Sequence, residues 1–319
     1  MQAIWVARGR AVAWAFVATT TLLGVIGLVA APPSLWHSFL SRVNRDPSQC
    51  GLPGLPDPAS FSVVDPASIP WRAAPPPELV ELQRRYTAGR LVGAYRIRLT
   101  EPLFQEAANV ERGAELLRGT VLQPGETLSF NGRVGPYTAA RGFRDGPEYR
   151  AGRVVPSAGG GICKVSSALF NAAVLAALTV LERHPHTMLV SYVPGGQDAA
   201  VAYPYKDLRL RNDQAGPVVI WADYRDAAVT VAVYGSHQPP AIEWSHQVLE
   251  RTPFPQDRRP HRSLPAGEER ILLRGLDGMR LRSWLTVLHP DGRREERDLG
   301  VTIYRPRPQV VEYGAAASS

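Results

Sequence analysis

A glycine-rich turn that leads directly into an apolar segment is the feature that most constrains how this chain can fold. Residues 159–163 read Gly-Gly-Gly-Ile-Cys, and residues 165–182 behind them are rich in Ala and Leu. At helical spacing, one apolar stripe runs along this segment: Val165, Leu169, Ala172, Ala173, Ala176 and Val180. The pattern predicts a long helix that is anchored by burial of this stripe, so that its first turn is rigid.

Cys163 stands at the predicted start of this helix. The unpaired N–H groups and the positive dipole end of a helix favour a thiolate over a thiol. Glycines permit a tight turn at this point, so the N–H groups of Gly161 and Cys163 are candidates for an oxyanion hole. The sequence therefore indicates a cysteine nucleophile, and we assign Gly160, Gly161, Lys164 and Ser166 to the loop that binds an oxyanion or the substrate.

A thiolate nucleophile needs a general base and a third group that orients this base. The histidines on either side of Pro185 are the candidates, because the proline ends the helix and an extended chain points His184 and His186 to the same side. Asp198 or Asp207 can then fix the tautomer of the imidazole. His186 is favoured, since His184 at a helix end can serve as a cap instead.

Other interpretations of Cys163 stay open. The chain has two cysteines, and cysteines in an oxidising compartment are more often paired than free, so a disulfide with Cys50 is one alternative. A zinc site formed by Cys163, His184, His186 and an aspartate is another. Buried histidines with no chemical role are the third. The catalytic interpretation requires no cofactor.

The N-terminal region predicts export. Residues 11–31 carry no charged side chain, and such a segment is long enough to cross about 30 Å of hydrocarbon as a helix. Arg8 and Arg10 precede it, which by the positive-inside tendency puts the rest of the chain on the outer side. A cleavable signal peptide is the alternative. We expect a single-pass protein of the cell membrane whose bulk lies on the extracytoplasmic side.

The chain is basic, with 36 Lys and Arg against 29 Asp and Glu and a formal net charge of +7. An exported domain of this sign is attracted to the anionic polymers of a cell wall or to anionic lipid. Nucleic acid is not expected as a partner, because the chain lies outside the cell and its basic residues are not interleaved with aromatic ones.

Composition divides the chain into four parts. Residues 1–31 are the predicted transmembrane anchor, and the proline-rich residues 32–77 are typical of a stalk. Residues 78–236 predict an α+β fold, a mixed helix and antiparallel-sheet domain around the buried helix that follows the Gly-Gly-Gly-Ile-Cys turn. Residues 245–315 show strands and glycine turns without a helical period, which predicts a small all-β C-terminal domain.

Individual elements follow from the same patterns. Helices are predicted at 78–86 and 104–118, and a turn at 123–126. Strands are predicted at 91–100, 189–193, 200–203, 208–210, 218–224 and 228–234.

Four motifs together resemble one known family. They are Pro-Gly-Glu-Thr-Leu-Ser-Phe-Asn at 124–131, Gly-Gly-Gly-Ile-Cys-Lys-Val-Ser-Ser at 159–167, Glu-Arg-His-Pro-His at 182–186 and Gly-Gln-Asp-Ala-Ala-Val at 196–201. In this order, over residues 108–236, they resemble the VanW-like domain of bacterial cell-envelope proteins. Residues 248–314 look like the β-rich G5 domain, which is named for its recurrent glycines and is associated with cell-wall binding.

The resemblance implies peptidoglycan stem peptides and cell-wall polymers as partners. For part of the family it implies an L,D-transpeptidase activity that depends on the cysteine matched here by Cys163. Lys164 departs from the family, in which a Gln usually follows this cysteine. A non-enzymatic wall-binding or scaffold protein, linked to glycopeptide resistance, is the second hypothesis, and a zinc-dependent hydrolase is the third.

Overall fold

The computed structural model describes residues 61–150 and 153–314, in which strands far outnumber helices. The helices in these ranges are α1 (Pro77–Arg85), α2 (Glu106–Leu117), α3 (Phe130–Val134) and α4 (Cys163–Leu175). The strands before residue 241 are β1 (Phe61–Val63), β2 (Arg90–Arg98), β3 (Thr120–Leu122), β4 (Thr127–Ser129), β5 (Asp145–Arg150), β6 (Arg153–Ala158), β7 (Thr179–Glu182), β8 (Arg209–Arg211), β9 (Val218–Arg225) and β10 (Ala228–Gly235). The remaining strands are β11 (Ala241–Thr252), β12 (Gln256–Pro260), β13 (Glu269–Leu273), β14 (Gly278–Leu288), β15 (Arg294–Tyr304) and β16 (Gln309–Tyr313).

An antiparallel sheet of five strands, in the order β1-β2-β10-β9-β3, is the frame of the region before residue 241. Strand β10 is buried along its whole length, because both faces of the sheet are covered. Helix α4 packs on one face, where Gly93 of β2 allows a close approach. A Cβ atom at Gly93 would lie 2.3 Å from the carbonyl oxygen of Ala172 in α4. The helix is therefore fixed directly on the sheet.

The opposite face of this sheet is covered by α1 and the residues before it. Trp71 is only 2% exposed, and its indole N–H donates a 2.8 Å hydrogen bond to the hydroxyl of Tyr234 in β10. Val64 and Ile69 are buried in the same cluster. Residues 61–71, which the sequence assigned to a stalk, thus pair with the sheet through β1 and pack on it through Val64, Ile69 and Trp71, while residues 32–60 of that predicted stalk lie outside the described residues.

Helix α4 is shorter than its apolar stripe predicts. It ends at Leu175, and Ala177 then adopts a left-handed conformation with φ 56°. The chain continues as strand β7, in which the β-branched residues Thr179 and Val180 pair with β8. Pairing in a sheet suits β-branched side chains better than a helix does. The turn after Leu175, and not Pro185, therefore ends the helix.

Strands β11 to β16 (residues 241–314) form what we call the C-terminal module. It contains an antiparallel sheet, β11-β14-β15, and a second sheet, β12-β16-β13, in which β12 and β16 run parallel. The module shares the main apolar core, since Trp244 and Leu285 belong to the cluster formed around α4. The rings of Phe170 in α4 and Trp244 meet edge to face at 5.8 Å. This sheet is thus packed against the helix that begins with Cys163.

The predicted fold class was wrong. The described residues are 42% strand and 18% helix, so the structure is predominantly β and not the predicted α+β fold. The strand content is higher than the sequence predicts for three reasons. Helix α4 is short, the chain forms the unpredicted hairpin β5–β6, and β11 reaches 12 residues. The predicted anchor at 11–31 lies outside the described residues, and no helix within them is both long and apolar enough to cross a membrane.

Most of the smaller elements lie where the sequence predicts them, including β2, α1, α2, β8, β9 and β10. The predicted strands at 189–193 and 200–203 do not form, and this stretch contains only an isolated bridge between Ala202 and Lys206. Side chains, rather than a sheet, hold it in place.

Candidate active site

Cys163 is the first residue of α4 and a free thiol that is partly exposed. The N–H of Val201 donates to its Sγ atom at 3.5 Å. The turn before it depends on glycine at Gly161, which has φ 101°. A Cβ atom at this position would lie 2.6 Å from Cγ of Glu106. The left-handed conformation and the lack of space both require glycine, and together they set where the sulfur stands.

The imidazole of His186 connects this thiol to a buried carboxylate. Its Nδ1 atom lies 2.6 Å from Oδ2 of Asp198, and the same oxygen accepts the backbone N–H of His186 at 2.6 Å. On the other side of the ring, the hydroxyl of Tyr192 lies 3.3 Å from Nε2. Two contacts to one oxygen fix both the backbone and the ring, and the side chain of His186 is also hydrogen-bonded to Cys163.

Asp198 is completely buried, with 0% of its surface exposed, and both of its carboxylate oxygens are used. Oδ1 accepts hydrogen bonds from Nη2 of Arg183 at 2.7 Å and from the hydroxyl of Tyr304 at 2.5 Å. Burial by itself would raise the pKa of Asp198. The hydrogen bond and charge of His186, followed by the charge of Arg183, outweigh it and lower this pKa to about 2. The carboxylate is therefore ionised at any physiological pH.

The charges of this group favour an ion pair between thiolate and imidazolium. Burial would lower the pKa of His186, but the hydrogen bonds of Asp198 and Cys163 raise it to about 9. The pKa of the Cys163 thiol is lowered: burial opposes the shift, and the hydrogen bond and charge of His186 overcome that effect. Both shifts favour a thiolate at Cys163 and a proton on His186.

Helix α4 also holds the chain segment that carries the aspartate. The hydroxyl of Ser166 donates to the carbonyl of Ala199 at 2.6 Å, and that of Ser167 accepts the N–H of Ala199 at 2.9 Å. Nδ2 of Asn171 donates to the carbonyl of Gln197 at 2.8 Å. One helix thus positions both Cys163 and Asp198. Ser166 is buried and supports this segment, so it does not face a substrate as the sequence suggested.

Lys164 points toward α2 rather than into open solvent. Its Nζ atom forms an ion pair with Oε1 of Glu106 and lies 4.8 Å from the ring centroid of Tyr192. Its charge contributes to the lowered pKa of Cys163, although less than His186 does. The lysine therefore favours the thiolate, as expected from its position beside the thiol, although its amino group is already paired with Glu106.

The glycines of the turn pack closely against their neighbours. The carbonyl of Gly160 accepts Nδ2 of Asn109 at 2.9 Å, and a Cβ atom at Gly160 would lie 2.3 Å from the carbonyl carbon of Gly146. In the described part of the chain, the N–H groups of Gly161 and Cys163 have no hydrogen-bond acceptor.

His184 and Asp207, which the sequence offered as alternative partners, form hydrogen bonds with other residues. Nε2 of His184 lies 2.9 Å from Oε1 of Glu182. Asp207 accepts the hydroxyl of Ser129 at 2.5 Å and the N–H of Asn131 at 2.8 Å. The structure therefore brings Cys163, His186 and Asp198 together. His184 and Asp207 make their contacts outside this group.

Sequence reasoning missed Arg183, Tyr192 and Tyr304. Arg183 stands inside the Glu-Arg-His-Pro-His motif, so its position next to the histidines was a usable signal. The two tyrosines have no motif around them, and only long-range packing brings them to the site. Within residues 61–150 and 153–314, no group of three or more His, Cys, Asp and Glu side chains is arranged to hold a metal ion.

Comparison with known proteins identifies the region around the site. Residues 105–234 match the family model described as VanW like protein. The uncharacterized protein YoaR of Bacillus subtilis is 38% identical over 128 residues, which are 40% of this chain and 42% of YoaR. The vancomycin B-type resistance protein VanW of Enterococcus faecalis is 30% identical over 139 residues, 42% of this chain and 50% of VanW. The matches thus span half of these relatives or less.

Two solved structures are also similar to part of the chain. The G5 domain of IgA1 protease is 18% identical and covers 25% of this chain and 98% of that domain, with a TM-score of 0.17. The G5 domain of HP0197 is 21% identical and covers 23% of this chain and 97% of that domain, with a TM-score of 0.15. The resemblance that the sequence motifs suggested is confirmed for the VanW-like region, and G5 domains are among the similar structures.

Proposed function

The chain carries a VanW-like domain at residues 105–234, and from this premise we propose that it modifies peptidoglycan by acyl transfer through Cys163. VanW-like proteins are related to the cell wall and to vancomycin resistance, which supports the choice of substrate. The observation that carries the proposal is the continuous chain of contacts from Cys163 through His186 to Asp198.

The chemistry follows from the protonation states of this group. The thiolate of Cys163 attacks an amide carbonyl carbon, and the resulting oxyanion accepts the N–H groups of Gly161 and Cys163. When the C–N bond breaks, the imidazolium of His186 gives its proton to the leaving amine. A thioester on Sγ remains. A second amine then attacks this thioester, His186 takes its proton, and the thiolate is restored.

The substrate we propose is a stem tetrapeptide of peptidoglycan. Cys163 attacks the carbonyl at the L-centre of its diamino acid, D-Ala leaves, and an amine of a second stem resolves the thioester, so that a cross-link forms. The resemblance supports this L,D-transpeptidase reaction. Lys164 stands where a Gln is usual; its amino group forms an ion pair with Glu106, and its charge still contributes to the lowered pKa of Cys163.

We further propose that the protein acts on the extracytoplasmic side of the cell membrane. Peptidoglycan is assembled there, and a net charge of +7 draws the chain to anionic wall polymers.

The decisive experiment follows D-Ala and the thioester together. The full chain is incubated with disaccharide tetrapeptides, D-Ala is quantified, and the mass of the Cys163 peptide is measured after acid quenching. We expect D-Ala release and a thioester in the original chain, and neither in Cys163→Ala. If the original chain releases no D-Ala and forms no thioester, while both proteins bind sacculi equally, the wall-binding scaffold function replaces the enzymatic one.

A further inference from the structure

We infer that the C-terminal module is a working part of the Cys163 site and that Tyr304 is a positioning residue for Asp198. The inference rests on the proposed function only in so far as Cys163 is the nucleophile. It assigns a catalytic consequence to a region that the VanW-like match, residues 105–234, does not include.

Tyr304, the last residue of β15, holds the turn that precedes the aspartate. It is 2% exposed, and its hydroxyl donates to Oδ1 of Asp198 at 2.5 Å. The hydroxyl oxygen of Tyr304 itself accepts the N–H of Gly196 at 2.6 Å. One hydroxyl group therefore fixes the carboxylate and the backbone two residues before it.

The end of β15 also reaches the segment that carries the histidine. The N–H of Arg305 donates to the carbonyl of Thr187, next to His186, at 2.7 Å. Nη1 of Arg183 donates to the hydroxyl of Thr302 at 3.4 Å. Residues 302–305 thus contact every chain segment that touches the carboxylate of Asp198.

The other two strands of this sheet support the same turn. Nε2 of Gln197 lies 3.0 Å from Nε2 of His246 in β11, and Nδ1 of this histidine lies 2.9 Å from the hydroxyl of Ser283 in β14. Gly196 has φ 86°, and a Cβ atom on it would lie 2.4 Å from the same hydroxyl. Three strands of the module therefore share the task of holding residues 196–198.

Apolar packing keeps the module in this position. Leu189, from the loop after the histidine, is buried in one cluster with Leu281 and Tyr304 of the module. Removing the module from this surface would expose these side chains together with the Phe170–Trp244 contact. This packing holds the hydroxyl of Tyr304 next to the carboxylate of Asp198.

Loss of the Tyr304 hydroxyl has two opposing effects on Cys163. A carboxylate with one donor fewer is more basic, which by itself strengthens its hold on the proton of His186 and favours the thiolate. Oδ1 would, however, be held by the long side chain of Arg183 alone. The carboxylate can then rotate, and the strength of the bond from Oδ2 to His186 falls steeply with its angle. We expect the loss of orientation to be larger, so the pKa of Cys163 rises.

The test compares Tyr304→Phe with Tyr313→Phe in the full chain. Tyr313 lies in β16, in the other sheet of the module, where Arg258 stacks on its ring, so it is a matched control. Alkylation of Cys163 by iodoacetamide is followed by mass spectrometry between pH 5 and pH 10. Tyr304→Phe should move the midpoint of alkylation upward by about one unit, and Tyr313→Phe should leave it unchanged. An unchanged or lowered midpoint in Tyr304→Phe overturns the inference.

A second readout separates positioning from substrate binding. With disaccharide tetrapeptides, Tyr304→Phe should lower kcat for D-Ala release roughly tenfold and leave KM unchanged. Thermal unfolding checks that the variant is folded. If it does not unfold cooperatively, Ser283→Ala decides, and we expect a smaller upward shift of the same midpoint. No shift in Ser283→Ala would then overturn the inference.

The two proposals fail in different ways. If the alkylation midpoint moves upward in Tyr304→Phe and the original chain releases no D-Ala, the transpeptidase reaction is wrong and the positioning role stands. If the original chain releases D-Ala and Tyr304→Phe is identical to it in both readouts, the positioning role is wrong and the reaction stands.

Discussion

The turn that carries Cys163 and the segment that carries His186 and Asp198 are held in place by different means. Cys163 is set by local structure: glycines with left-handed φ angles and the first turn of a buried helix. His186 and Asp198 lie in a stretch with hardly any regular secondary structure, and side chains from α4 and β15 fix them. The comparison shows that half of this site is encoded by neighbouring residues and half by residues far away in the sequence.

The strongest test of this contrast is His186→Gln. It removes the imidazole that is hydrogen-bonded to Cys163, so the pKa of the thiol should rise to its ordinary range or above. We expect kcat for D-Ala release to fall on the order of a thousandfold. Alkylation of Cys163 at pH 6 should also slow, and a profile like that of the original chain would show that another group ionises the thiol.

Asp198→Asn should have the next largest effect. The imidazolium loses its charged partner, and we expect kcat to fall about a hundredfold, since attraction between thiolate and imidazolium remains. Arg183 would be left without its carboxylate partner, which should lower the free energy of unfolding by about 3 kcal/mol. Steady-state kinetics and chemical denaturation measure the two effects.

The same substitution changes how stability depends on pH. The pKa of Asp198 is lowered to about 2 in the folded chain from about 3.9 when unfolded. Its contribution is therefore complete above about pH 4 and is lost as the pH falls toward 2. In denaturation curves between pH 5 and pH 2, Asp198→Asn should lose less stability than the original chain. Equal losses in both proteins would contradict the assigned shift.

Gly161→Ala tests the locally encoded half. A Cβ atom would meet Glu106 at 2.6 Å in a backbone region that alanine rarely adopts, at a cost of about 1–3 kcal/mol. We expect a lower melting temperature and a several-fold slower alkylation of Cys163. Gly267→Ala is the matched control: it also has a positive φ, but nothing lies within 4 Å of its Cβ position. Equal effects on alkylation in both variants would argue against a local role for the turn.

His184→Gln should have the smallest effect. This histidine contacts Glu182 and lies outside the Cys163 group, so kcat and the alkylation profile should stay within about twofold of the original values. A large loss of activity would mean that His184 reaches the thiol during turnover.

The sequence predicted the parts of the site that depend on neighbours. Glycines before Cys163, a helix after it, and two histidines around Pro185 were all readable, and His186 was preferred over His184. Ser166 was misassigned because spacing alone does not tell which side of a first helical turn is buried. The fold class was wrong because alanine and leucine beyond residue 175 looked helical, while pairing with β8 made Thr179–Glu182 a strand.

By itself, the sequence determined where Cys163 is placed, since left-handed glycines and a helix start are properties of a few adjacent residues. Only the tertiary structure decided which groups lower the pKa of the Cys163 thiol. Tyr304 and Asp198 are 106 positions apart, and their contact exists because the C-terminal module packs on α4 and buries a shared apolar surface. Such packing depends on the shapes of whole sheets, which no local pattern of residues encodes.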